Sequence, residues 1–322
     1  MMGAMNEDTP NLTISTLGTA KHRSPMTLGE RPGDGLVDFV DESARLLYDM
    51  DERRVRDAFA SGDVLPSLEL AGPRRDLYFR PNDVRAAIVT AGGLCPGIND
   101  VVRSLVLTLH WQYGVREVFG IRYGLRGFDS EDVPPMPLQP ASVRSCHREG
   151  GSFLGSSRGG PAPAEIVRFL DRQAICMLFM VGGDGTMKAA QAIADEAKNQ
   201  GLDIAVIGVP KTIDNDVLYV DRTFGFLTAV SLARQAVDSA HAEAQGAFNG
   251  VGLVRLMGRD SGFIAAQAAL SSGEANFVLV PEVPFELEGP QGFLQQLHRR
   301  IASRRHAVVV VAEGAGQELL RE

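Results

Sequence analysis

Residues 209 to 217 read Val-Pro-Lys-Thr-Ile-Asp-Asn-Asp-Val, and they complete an apolar run, Ile204 to Val209, of the length of a buried strand. Two carboxylates two residues apart, Asp214 and Asp216, therefore stand just past a strand's carboxyl end. Open α/β sheets build their sites at that edge. Burial there raises the pKa of a lone carboxylate, whereas Lys211 alongside it, or a bound metal, opposes the shift. A carboxylate held against a substrate hydroxyl is a candidate general base. The plainer reading of Asp214–Asn215–Asp216 is an Asx-rich turn. The buried strand before it and the adjacent lysine count against that.

Outward from this stretch the same pattern repeats. Gly182-Gly183-Asp184-Gly185-Thr186 follows a second apolar run, Met177 to Val181. Strands are expected over Arg85–Thr90, Glu117–Tyr123, Val251–Met257, Phe277–Val280 and Ala307–Ala312. Helices are expected over Asn99–Tyr113, Ala162–Gln173, Met187–Asn199, Leu227–Ala244, Gly262–Leu270 and Gly292–Ser303. Strand–helix alternation of this kind predicts an α/β fold with doubly wound parallel sheets. Residues 1 to about 35, rich in Gly, Pro, Ser, Thr and charge, read as a disordered leader. Between Leu36 and Arg80 there are helical pieces, Val37 to Phe59 among them, that make no complete core.

Composition narrows the function. The 322 residues permit two domains, and 44% hydrophobic content supplies a packed core. A net charge of −8 argues against nucleic acid as partner. An anionic substrate would need locally gathered arginine and lysine. Three cysteines, Cys95, Cys146 and Cys176, are too scattered for a disulfide framework or a zinc site, and Cys176 reads as a small core residue. No apolar stretch approaches the ~20 residues of a membrane span, and no apolar signal core opens the sequence, so the expectation is a cytoplasmic protein with no membrane partner.

Three segments carry phosphate chemistry. Thr90 to Asn99 reads as strand, glycine turn and helix start; Gly92 and Gly93 let the backbone approach a polyphosphate, and the helix N-terminus favours negative charge. Asp184, after a strand and two glycines, offers a hard oxygen to Mg²⁺ bridging donor phosphates, although an Asp-Gly turn explains the string equally well in isolation. Arg158 lies in a Gly/Ser loop, Gly150 to Gly160, able to close over phosphate, although an isolated loop arginine is usually just solvated. Of these, Gly182–Thr186, taken with the 209–217 stretch, suggests phosphoryl transfer onto a sugar-type hydroxyl.

The ordered set of motifs resembles the 6-phosphofructokinase family. It runs through Thr90–Asn99, Gly155-Ser156-Ser157-Arg158, Gly182–Thr186, Pro210–Asp216, Thr223-Phe224-Gly225-Phe226, Met257-Gly258-Arg259 and Pro281-Glu282-Val283, covering roughly Arg85 to Gly316. The resemblance implies two Rossmann-like domains, with ATP and Mg²⁺ held by residues 81–222 and fructose 6-phosphate by residues 223–322, after an extension of 1–80. It implies nucleotide contacts from Gly93, Arg158, Gly183, Asp184, Gly185 and Thr186, with Asp184 on the metal. It makes Asp214 the base for the sugar 1-hydroxyl, assisted by Thr212 on the transferring phosphate and by Asp216 orienting a metal water or the base. Lys211 and Arg259 would neutralise equatorial charge. Met257, Gly258, Arg259 and Glu282, together with Thr212 and Asp214, would form the sugar side.

Gly185 leaves open a space that pyrophosphate-dependent relatives fill with Asp, whereas Lys211 is the residue those relatives carry. The combination resembles the longer ATP-dependent plant and kinetoplastid type; pyrophosphate use and an inactive homologue are the alternatives. The family implies a homo-oligomer, dimer or tetramer. Gly250 stands where it often has an arginine that crosses the subunit interface. Arg103 matches an allosteric phosphate position of short bacterial relatives, but Leu107 replaces their second arginine. The sequence stops at Glu322, before a segment that in the family carries an arginine and a histidine for the sugar phosphate, so an incomplete acceptor site that holds ATP·Mg better than fructose 6-phosphate is expected. Other features have plain explanations: His110 and Trp111 pack on a helix, Arg299, Arg300, Arg304 and Arg305 form a solvated face, and Ala265 to Leu270 is core.

Overall fold

The structure, a computed structural model, describes residues 12–28, 38–48, 50–63, 65–130 and 132–320. In chain order the elements are β1 (His22–Arg23), β2 (Arg45–Leu47), α1 (Glu52–Ser61), β3 (Ser67–Glu69), β4 (Asp76–Leu77), β5 (Arg85–Thr90), α2 (Ile98–Leu107), β6 (Glu117–Ile121), β7 (Met136–Pro137), α3 (Pro163–Arg172), β8 (Met177–Gly182), α4 (Asp184–Asn199), β9 (Ala205–Pro210), α5 (Phe226–Gly246), β10 (Gly250–Leu256), α6 (Phe263–Ser272), β11 (Phe277–Leu279), α7 (Phe293–Arg304) and β12 (His306–Ala312).

A five-stranded sheet of order β7-β6-β5-β8-β9 lies at the centre. All its pairings are parallel except that of the short edge strand β7. Because helices cover both faces, β5 reads as continuous apolar sequence rather than as an alternation. Its side chains still divide with period two. Ala87 and Val89 pack with Ile166 and Leu170 of α3 and Ile193 of α4, whereas Ala86 and Ile88 pack with Val102 and Val106 of α2. Every parallel strand ends at the same edge, so the loops after β5, β8 and β9 are delivered side by side.

A second, three-stranded parallel sheet has the order β10-β12-β11. Val308, Val310 and Ala312 of β12 face Val237 and Ala244 of α5 and Ala265 of α6. On the opposite face Phe293 of α7 meets Phe277 edge-on at 5.4 Å. Strand β10 alternates: Val254 and Leu256 pack inward, while Val251 and Leu253 stay exposed. Gly250 opens this strand for a steric reason, since a Cβ there would lie 2.2 Å from the Ala244 carbonyl oxygen. An arginine is excluded at that position by the packing of β10 on α5.

Several sequence expectations change. The helix expected over Val37–Phe59 is α1 alone; Arg45–Leu47 is a strand paired antiparallel with Ser67–Glu69, and Val37 lies outside the described residues. Asp51 starts α1 by accepting from the N–H groups of Arg53 and Arg54. Of the expected leader, residues 1–11 and 29–35 are outside the described residues, but His22–Arg23 pairs with Asp76–Leu77 instead of lying disordered. The helix after the first glycine turn is α-helical only to Leu107 and passes into a π turn over Thr108–Gln112. Trp111 there is exposed and stacks on His110 rather than packing in the core. Leu270 is likewise exposed, because only Ile264, Ala265, Ala268 and Ala269 of α6 face inward. Arg300 is partly buried, with its Nε donating to the His306 carbonyl. Among the described residues no helix is long and apolar enough to cross a membrane.

Candidate active site

Three loops past the first sheet are tied together by backbone. The Ala91 N–H donates to the Val181 carbonyl, Gly92 N–H to that of Ser157, and Lys211 N–H to that of Gly182. Ser156 Oγ donates to the Gly92 carbonyl at 2.6 Å. Gly92 has φ +81°, which an L side chain rarely adopts, and a Cβ there would sit 3.8 Å from Lys211 Nζ. Lys211 is 6% exposed, and its Nζ donates to the Gly93 carbonyl at 2.6 Å. Burial holds its ammonium below the ordinary lysine pKa, and the neighbouring Cys95 opposes that shift. The structure thus places Lys211 as a strut between two turns, where sequence reasoning expects a phosphoryl contact.

On the same edge, Gly183 is the N-cap of α4 and Asp184 its first residue, exposed and three positions before the helix start expected at Met187. A Cβ at Gly93 or at Gly185 would meet nothing within 4 Å, so both turns face open space. Thr186, expected among the nucleotide contacts, is less open than its neighbours. It is buried and packed into its own turn, where a Cβ on Gly182 would be 2.2 Å from its Oγ1. Arg158 is exposed and lines a cleft of about 560 Å³ with Arg126, Asp129 and Asp132.

The loop after β9 is closed by its own polar groups. Thr212 Oγ1 donates to Asp216 Oδ1 at 2.7 Å and accepts from the Asp214 N–H at 3.1 Å. Both groups expected to serve phosphate or metal therefore also hold the loop. Asn215 sits at φ +59°, its Oδ1 accepting from Thr223 N–H and its Nδ2 donating to the Asp221 carbonyl. Asp214 Oδ1 is buried without a hydrogen-bond partner among the described residues. Burial lifts the Asp214 carboxyl above the ordinary aspartate pKa; Asp216, Glu313 and Asp260 push the same way, and Arg259 opposes them. A raised pKa makes this carboxylate a stronger proton acceptor than an ordinary aspartate.

The second sheet brings its own carboxyl-edge residues to this carboxylate. Met257 and Arg259 follow β10 and are exposed, and Gly258 between them is buried at φ +126°, accepting on its carbonyl from the Gly314 N–H after β12. Ser261 Oγ donates to the Asp214 carbonyl at 3.0 Å. Glu282, expected to accept from sugar hydroxyls, already accepts the Gly262 N–H on Oε1 at 2.7 Å.

The Phosphofructokinase family profile matches residues 85–321, nearly three quarters of the sequence. This chain belongs to the phosphofructokinase family. It is 53% identical over 252 residues to ATP-dependent 6-phosphofructokinase 5, chloroplastic, of Arabidopsis thaliana, a match that covers 78% of this chain and 47% of that protein. It is 48% identical over 312 residues to the ATP-dependent 6-phosphofructokinase of Borreliella burgdorferi, covering 95% of this chain and 69% of that one. The chain thus spans about half the length of the plant relative it matches. Among solved structures, the Pichia pastoris phosphofructokinase in the T-state aligns with TM-score 0.64 at 25% identity, over 80% of this chain and 28% of that one. A pyrophosphate-dependent phosphofructokinase from Marinobacter aquaeolei aligns with TM-score 0.65, also at 25% identity, over 72% and 61%.

Around this candidate site, sequence reasoning missed Ser261, Asp260, Glu313 and Cys95. Glu313 follows the apolar run of β12 as Asp214 follows that of β9, so position past a strand end was an available signal. Cys95 offered none: it is buried against Phe224, its Sγ donating to the Phe224 carbonyl. Burial pushes its thiol pKa up, with Lys211 opposing and Asp214 reinforcing the shift. Among the described residues no three His, Cys, Asp or Glu groups gather to hold a metal by themselves. The donor set still fits Mg²⁺, which is commonly bound by one or two carboxylates plus substrate phosphates, and exposed Asp184 at a helix N-terminus beside open Gly185 is such a carboxylate.

Proposed function

We propose that this phosphofructokinase transfers the γ-phosphoryl group of ATP to the 1-hydroxyl of fructose 6-phosphate, giving fructose 1,6-bisphosphate. The observation that carries the reading is Asp214: a partly buried carboxylate with a raised pKa, past the carboxyl end of β9, tied to the second sheet's loop by Ser261, with the Arg259 charge opposing the shift. Asp214 accepts the hydroxyl proton as the new O–P bond forms. Arg259 faces the charge that develops on the transferring group, and fixed charge of that kind stabilises the transition state. The turns at Gly93 and Gly183–Gly185 present backbone N–H groups and a helix N-terminus to the donor phosphates. Asp184 would hold Mg²⁺, which when bound neutralises charge across those phosphates. Arg158 reaches the donor from the cleft wall, and Met257, Gly258, Arg259 and the remaining capacity of Glu282 form the sugar side. Residues 81–222 serve the donor and 223–322 the acceptor. Cytoplasmic location and assembly as a homo-oligomer belong to the same reading, on the strength of the family resemblance.

Pyrophosphate is the second donor to weigh, because Lys211 and the Marinobacter neighbour both point to it. Gly185 favours ATP: its open surroundings leave room for the rest of the nucleotide, which an aspartate would crowd and repel. A coupled assay of the full-length protein with fructose 6-phosphate and each donor decides the matter. Turnover with ATP and little with pyrophosphate is expected, and Gly185→Asp should cut ATP use about tenfold or more. Turnover with pyrophosphate alone would overturn the donor assignment.

A further inference from the structure

The carboxylate of Asp214 is not aimed by partners of its own, since its buried Oδ1 has none among the described residues. Buried polar atoms are nearly always paired, so something else fixes this one. The backbone does. The Asp214 N–H is held by Thr212 Oγ1 at 3.1 Å and its carbonyl by Ser261 Oγ at 3.0 Å. The next residue, Asn215, is locked in the left-handed region by its two side-chain bonds to Asp221 and Thr223. Thr212 and Asn215 belong to the loop itself. Ser261 comes from the other sheet.

A serine beside a helix start ordinarily accepts a hydrogen bond from the helix's own first N–H groups. Ser261 does not serve α6 in that way. The N-cap is Gly262, whose N–H is taken by Glu282, while the Ser261 hydroxyl, 4% exposed, is spent on a carbonyl 47 positions earlier in sequence. Its backbone is fixed as well: the Ser261 carbonyl oxygen lies 2.2 Å from where a Cβ on Gly258 would be, so the turn between them is as tight as glycine permits. Ser261 is therefore anchored to the Met257–Arg259 turn at one end and to Asp214 at the other.

We propose that Ser261 is a positioning residue for Asp214, a single hydroxyl that sets the placement of the base relative to the turn carrying Arg259. This rests on the assignment of Asp214 as base. Orientation of a reacting group is worth orders of magnitude in rate, and a displacement of about 1 Å can cost about 10²-fold. Loss of one of two backbone ties should cost less than that. The effect falls on turnover, not on ATP binding, because the donor turns are held by the separate bonds of Gly92, Ser156 and Lys211.

The test is a kinetic cycle in the full-length protein with Ser261→Ala, Ser261→Thr, Asp214→Ser and the double variant Ser261→Ala/Asp214→Ser, each checked for a native melting transition. Ser261→Ala should lower kcat about tenfold with KM for ATP within about twofold, and Ser261→Thr, which keeps the hydroxyl, should recover most of the loss. In the Asp214→Ser background Ser261→Ala should add nothing, since there is no base left to place. If the losses multiply, or if Thr fails to rescue a folded protein, Ser261 does not act through Asp214 and the proposal is overturned while the base stands. If Asp214→Ser alone leaves kcat within about twofold, the base assignment fails and the role of Ser261 falls with it.

Discussion

Past β5, β8 and β9 the loops are sewn to one another by backbone and by the buried strut of Lys211, whereas past β10 and β11 the residues that matter, Met257, Arg259 and Glu282, stand exposed on their turns. The strands behind them differ in the same sense. Ile88 of β5 is 0% exposed and Leu253 of β10 is 70% exposed. A polyphosphate is recognised by main-chain N–H groups and a helix N-terminus, which must already be in place, so a rigid, doubly covered sheet suits it. A sugar phosphate is recognised by charged side chains, which reach out from exposed positions. Asp214 sits where the two regimes meet, with its loop built by the first sheet and tied by Ser261 to the second.

The contrast can be broken by substitution. The largest stability loss is expected for Ile88→Ala, about 2–5 kcal/mol in a urea titration, because the cavity opens in a sheet covered on both faces. A smaller, oppositely signed effect is expected at Asp214. Burial raises its pKa above the ordinary value of 3.8, so the native state holds the proton more tightly than the unfolded chain does. The stability from that proton is full below the unfolded pKa and is lost as pH rises through the folded value. Ionised Asp214 is thus a cost at neutral pH. Asp214→Asn should raise Tm by a few degrees near pH 7 and give little gain below about pH 4. A lower Tm at pH 7 would show the carboxylate to be favourably paired. The smallest effect is expected for Leu253→Ala, within about 1 kcal/mol, since its side chain leaves mainly water. A loss equal to that of Ile88→Ala would erase the distinction between the sheets.

Much of the first sheet was legible because β5, β8 and β9 are apolar runs bounded by glycine or proline, and α2, α4 and α5 begin where the loops after them end. The parts that escaped have polar or short sequences. His22–Arg23 and Arg45–Leu47 become strands only by pairing with Asp76–Leu77 and Ser67–Glu69, a tertiary event that no local periodicity announces. Leu270 looked like core because α6 is apolar all round, and only packing says which face is covered. At the site, Arg259 was named through the family resemblance, and position past a strand end was enough to make Asp214 and Asp184 candidates. It was not enough to tell how they are held. Lys211 bonding Gly93, Thr212 bonding Asp216 and Ser261 bonding Asp214 are contacts between side chains and partners that become neighbours only in the folded chain.

Asp214 is proposed as the base of an ATP-dependent phosphoryl transfer. Steady-state turnover of Asp214→Ser with fructose 6-phosphate, run beside an ATP·Mg titration of the same full-length protein, tests it most directly. A fall in kcat of about 10²-fold or more is expected, with the ATP dissociation constant changed by less than about threefold, because the carboxylate acts on the acceptor hydroxyl and the donor turns do not depend on it. Turnover close to that of the unaltered protein, or a loss explained entirely by weakened ATP binding, would contradict it.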